Sequence, residues 1–72
     1  MGKVLYLPTV DMPADVVLER AKDQSITECL VIGALEDGMY IACTTDDIAR
    51  AMWLLERGRQ QILDIASERG LL

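Results

Sequence analysis

The 72 residues include no histidine. That absence removes the commonest general base and the commonest neutral metal ligand. Phenylalanine is absent too, and one Trp with two Tyr make up the aromatic content. Basic residues are scarce, seven against twelve acidic ones, for a net charge of −5. A phosphate-tracking groove needs clustered Lys and Arg, so direct DNA or RNA binding is not expected. No apolar run approaches the roughly 18 residues of a membrane span. Val4-Leu5-Tyr6-Leu7, after Met1-Gly2-Lys3, stops at Pro8, short of the about 7–15 apolar residues of a signal peptide. A cytoplasmic chain with no membrane contact is expected. There is no Gly-rich phosphate loop, and Ser25 and Ser67 have no visible base.

Cysteine is limited to Cys29 and Cys43, which lack zinc-site spacing. Both fall on strands joined by a turn at Glu36-Asp37-Gly38. If Glu36 pairs with Met39, Cys43 faces Ile32 rather than Cys29, a mismatch that disulfide geometry does not tolerate. Two free, buried thiols are predicted.

What is abundant is apolar surface, 51% of residues. A domain this small buries only roughly 60% of its unfolded surface. A second copy hides the remainder better than one small core, so the composition alone points to a homodimer.

The predicted architecture is a single domain over residues 1–72, of class α+β. Its order is β-α-β-β-α, with a small three-stranded sheet and a long C-terminal helix. Residues 3–7 read as the first strand. A helix opens at Met12-Pro13-Ala14-Asp15, where Pro suits the first turn and Asp11 can cap. Ala14, Val17, Leu18 and Ala21 make its apolar stripe, and it runs to about Asp23. Glu28–Leu35 and Met39–Cys43 form a hairpin with Asp37-Gly38 at its turn. Both faces of these strands are apolar, so either the helices divide between them or a second subunit covers one. Gly33 permits a close backbone approach.

Thr44 followed by Asp47 resembles a capping box. The last helix is predicted from about Asp46 to Ser67 or Arg69, with Gly70 as its stop. At 1.5 Å per residue its last two or three turns should project beyond the sheet. Ile48, Ala51, Leu55, Ile62 and Ala66 form one stripe, widened by Met52 and Leu63 on one side and by Leu54 and Ile65 on the other. Gly58 lies on the same face, where another backbone can come close. The oligomer interface is therefore expected at Gly58, Ile62, Leu63, Ile65 and Ala66. Trp53 falls instead on the polar side, near Arg50, Arg57 and Gln60. An exposed Trp among arginines is a composition typical of interface anchors, and these four are the expected interaction surface. The plainer alternative folds Trp53 back over the sheet edge.

The residues assign no catalytic group, no cofactor and no metal. Asp11, Asp15, Asp46 and Asp47 offer carboxylates for a hard cation, but capping and dipole complementarity explain them without one. Arg50, Arg57 and Arg59 with Gln60 offer an anion site, or simply a solvated helix face.

Four stretches carry a resemblance: Ala14-Asp15-Val16-Val17-Leu18-Glu19-Arg20-Ala21-Lys22, then Glu28-Cys29-Leu30-Val31-Ile32-Gly33, then Asp37-Gly38-Met39-Tyr40-Ile41-Ala42, and Met52-Trp53-Leu54-Leu55-Glu56-Arg57. Together they resemble small proteins encoded by bacteriophages and prophages of proteobacteria, over most of residues 13–60. The chain departs from that pattern at Thr44-Thr45-Asp46-Asp47, where those proteins carry a Ser- and Gly-rich link. The resemblance implies a host-cell cytoplasm and a partner among host or phage proteins, including host defence or regulatory factors. It carries over no catalytic residue. The expected function is thus a non-enzymatic, homo-oligomeric protein-interaction module. The alternative is a module that binds or sequesters an anionic nucleotide signal near Arg50, Arg57 and Arg59.

Overall fold

A computed structural model describes residues 7–71. The protein is α+β. Helix α1 (Ala14–Lys22) precedes strands β1 (Leu30–Leu35) and β2 (Gly38–Cys43), and the long helix α2 (Ile48–Glu68) follows. The described strands form one two-stranded antiparallel sheet. The strand expected over residues 3–7 lies, apart from Leu7, outside the described residues. Among the described residues no helix is long and apolar enough to cross a membrane.

Helix α1 starts at Ala14 with Pro13 in the N-cap position. The Pro13 carbonyl accepts from the N–H groups of Val16 and Val17. No side chain caps this end, so Asp11 does not fill the role expected of it. Pro13 sets the start unaided, because its fixed φ of −62° already suits the turn. The exit is tight: Ser25 takes φ 55°, a left-handed conformation usually left to Gly. The expected apolar stripe is not packed away. Val17 and Leu18 stay exposed, and only Val16 and Ala21 are half-buried.

The hairpin turns one residue earlier than predicted. Leu35 pairs with Gly38 and Leu30 with Cys43, so the turn residues are Glu36 and Asp37. Neither takes positive φ, and neither does Gly38; a turn without positive φ replaces the Asp-Gly type. The slip is two residues, which preserves the side-chain faces. Cys43 therefore stays on the face of Leu30 and Ile32, while Cys29 lies on the other. Both thiols are free and half-buried rather than buried. Cys29 faces Thr44, and the pair adds one more rung to the ladder. The Thr44 N–H donates to the Cys29 carbonyl at 3.0 Å, and the Cys29 N–H donates to Thr44 Oγ1 at 3.0 Å.

Thr44 is thus spent on the sheet, and Asp47 caps α2 instead. Asp47 Oδ1 accepts from Ala49 N at 3.0 Å and from Arg50 N at 3.4 Å. The Asp47 N–H donates to Thr45 Oγ1 at 3.0 Å. The helix begins at Ile48, two residues later than predicted. Its end is as the sequence suggests. Gly70 takes φ +74°, Leu71 N reaches Ala66 O at 2.8 Å and Gly70 N reaches Ser67 O at 3.1 Å, which is a Schellman closure.

The 21 residues of α2 span about 31 Å. Its far end is tied down rather than free: the Arg69 guanidinium donates to the Leu7 and Pro8 carbonyls. Rotation about the helix axis also differs from expectation. Ile48 is 80% exposed, while the sheltered positions are Arg50, Ala51, Leu54, Gln61, Leu63, Ile65 and Ala66. A tether at Arg50, described below, turns the Leu54 side toward β1. No described side chain is fully buried.

Candidate functional site

The first cluster forms where α2 begins. Glu28, just before β1, meets Arg50, in the first turn of α2. Arg50 Nε donates to Glu28 Oε2 at 3.1 Å, and Arg50 Nη2 donates to Glu28 Oε1. The fork geometry is that of a bidentate guanidinium–carboxylate pair. These hydrogen bonds hold the Glu28 carboxyl below its ordinary value, with partial burial opposing and the Arg50 charge adding to the effect. The same hydrogen bonds raise Arg50 above its already high value, against partial burial.

Arg50 also lies over the Trp53 ring, 4.1 Å from its centroid. Arg57 approaches the same ring at 5.9 Å. Positions 50, 53 and 57 are spaced three and four apart, so one helix face stacks them in order. Cation–π contact within about 6 Å is attractive. The indole is thus flanked along the helix by two guanidiniums, one of them held by Glu28 just before β1. Trp53 stays 47% exposed. Gln60 lies on the same helix face but binds forward: its Nε2 donates to Asp64 Oδ1 at 3.0 Å.

The second feature is an apolar groove of ≈ 580 Å³ between β1 and α2. Leu30 and Ile32 line it from the strand. Leu54, Leu55, Gly58, Arg59, Ile62 and Leu63 line it from the helix. Three of the five residues expected at an oligomer interface therefore share this groove: Gly58, Ile62 and Leu63. Ile65 and Ala66 are half-buried outside it. A Cβ at Gly58 would meet nothing within 4 Å, so among the described residues nothing makes the close approach that a glycine there permits.

The three arginines do not converge. Arg50 and Arg57 face Trp53, and Arg59 lines the groove. The carboxylates do not converge either: among the described residues no group of three or more His, Cys, Asp or Glu is placed to hold a metal. Asp47 is a cap, and Asp15 sits in the first turn of α1.

Two participants escaped the sequence reading. Glu28 was assigned only to a strand, because no local pattern marks a partner 22 residues away. Gln61 was not singled out; its buried Oε1 has no hydrogen-bond partner. The only available signal was a polar residue flanked by the apolar positions 54, 58, 62 and 65.

No family model, no curated protein and no solved structure matches the chain.

Proposed function

We propose that this chain is a non-enzymatic, homo-oligomeric protein-interaction module of phage or prophage origin that binds a host or phage protein in the host cytoplasm. The carrying observation is the flanked indole. An aromatic ring held half exposed beside two guanidiniums, one of them held by Glu28, is already ordered before any partner arrives. Pre-ordering lowers the entropy lost on binding, and Trp and Arg are, with Tyr, the residues enriched among those that dominate interface energies. The phage context rests on the resemblance of residues 13–60 alone.

The nucleotide-sequestering alternative loses support from the same geometry. Arg50 is neutralised by Glu28, and Arg59 points away from Arg57 into the groove. An anion would meet single guanidiniums rather than a cluster.

The test is capture from a proteobacterial host lysate with wild-type and Trp53→Ala, Arg57→Glu bait, each checked for native helicity by circular dichroism. Loss of a central Trp anchor costs about 2 kcal/mol or more, roughly thirtyfold in affinity. A partner held by wild type should be lost from the variant. Equal capture by both baits sinks the proposal.

A further inference from the structure

We infer that a second copy of this chain docks through the groove, with the two α2 helices crossing at Gly58. The inference rests on the homo-oligomeric part of the proposed function and adds the surface and its geometry.

The first argument is area. A folded monomer of 8.0 kDa exposes about 4,450 Å² by the usual size scaling. This chain exposes 6304 Å², about 1,850 Å² more. The seven residues outside the described range carry about 1,100 Å² even when wholly extended. About 750 Å² per copy is then left over, close to the about 800 Å² that each partner buries in a standard interface. The upper figure falls in the range of obligate homodimers.

The second argument is position. Gly58 is the midpoint of α2, with ten residues on either side. A glycine inside a helix is unfavourable relative to Ala, and here no contact among the described residues requires it. Leu54, one turn before, and Ile62, one turn after, lie about 40° to either side of it around the axis. In an antiparallel crossing, a two-fold axis beside Gly58 sets Leu54 of one copy against Ile62 of the other, as an isologous interface demands. Ile62 is 55% exposed, and Ile32 on the opposite wall is 46% exposed. Both are apolar surface that such a crossing covers.

A residue beside a two-fold axis meets its own copy. At an interaxial distance of about 8–10 Å, facing Cα atoms at a radius of about 2.3 Å lie roughly 3.5–5.5 Å apart, which overlaps disulfide reach. The experiment uses Gly58→Cys in the full chain carrying Cys29→Ser and Cys43→Ser, mildly oxidised at micromolar concentration, with Trp53→Cys in the same background as the opposite-face control. Gly58→Cys should give covalent dimer in high yield and the control little. In parallel, light scattering on Gly58→Leu, with native helicity confirmed, should show a dimer dissociation constant raised by roughly tenfold to hundredfold, from overpacking on both copies. A wild type that stays monomeric at every concentration overturns this inference and the homo-oligomeric reading together. A wild-type dimer that neither cross-links through Gly58→Cys nor weakens in Gly58→Leu overturns the inference alone.

Discussion

Replacing Gly58 with Ala separates two effects of opposite sign. Within one chain the change is favourable. The new methyl meets nothing within 4 Å, and removing a mid-helix glycine gains about 0.8–1 kcal/mol of helix propensity. In a domain of this size that corresponds to a rise of about 4–8 °C in melting temperature. Across the proposed dimer the change is unfavourable, because the two-fold axis duplicates the methyl at the tightest point. Overpacking of that kind costs about 1–3 kcal/mol. The assay is thermal unfolding of wild type and Gly58→Ala across a wide range of protein concentration. Dimer stability depends on concentration by mass action, and monomer stability does not. The advantage of Gly58→Ala should be full in dilute solution and should shrink or reverse as concentration rises. An increment that stays constant at all concentrations refutes the reasoning, since no partner backbone then lies at Gly58.

Asp47→Ala removes an acceptor from two N–H groups at the head of α2 and should destabilise the chain by about 1 kcal/mol in urea unfolding; Asp47→Asn should recover most of it. Glu28 supplies a pH response. Its folded-state value is depressed from an ordinary 4.5, so the tether is intact above that value and is lost as pH falls through the lower folded one. Trp53 emission, measured on dilute protein because the isoelectric point is near 4.4, should hold steady from neutral pH to about 5 and shift below about 4.5. Glu28→Gln should abolish that shift, and an identical acid profile for both proteins would refute the tether. Self-association should tighten as sodium chloride rises, because each copy carries −5 and salt screens their repulsion. Dimers that weaken with salt would point to a polar interface instead of the groove.

The parts of the fold that were legible are those set by local chemistry. The hairpin was, because two apolar runs flank Glu36-Asp37-Gly38. So was the end of α2, because only Gly takes the left-handed turn at position 70 without strain. The register was off by two residues, since the turn uses no positive φ and so has no need of Gly at its centre. The cap was misplaced because Thr44 faced a choice invisible from the sequence: its hydroxyl serves Cys29 across the sheet rather than the helix. The rotation of α2 was misread for a related reason. Hydrophobic periodicity locates a stripe, but the Glu28–Arg50 pair fixes which side of it meets the strand. That pair joins residues 22 apart and leaves no periodic trace. Trp53, Arg50, Arg57 and Gln60 were gathered correctly onto one helix face, because spacing of three and four is a property of the helix itself.

The two features of α2 point in different directions, and that bears on how the proposed module works. Trp53 and Gly58 are five residues apart, about 140° around the axis. The flanked indole faces away from the groove, with Arg59 as the groove's charged member and Arg57 left to the other side. A copy seated on Gly58 therefore leaves Trp53 uncovered. Two-fold pairing then presents two such indoles on one rigid body, and a partner with two matching sites engages the second at a high effective concentration. A dimer-breaking change at Gly58 should consequently weaken capture of a bivalent partner while leaving capture of a monovalent one near wild-type strength. Trp53→Ala should abolish both. That contrast follows from the helix geometry: one face of α2 sets the number of sites, and the other sets what each site holds.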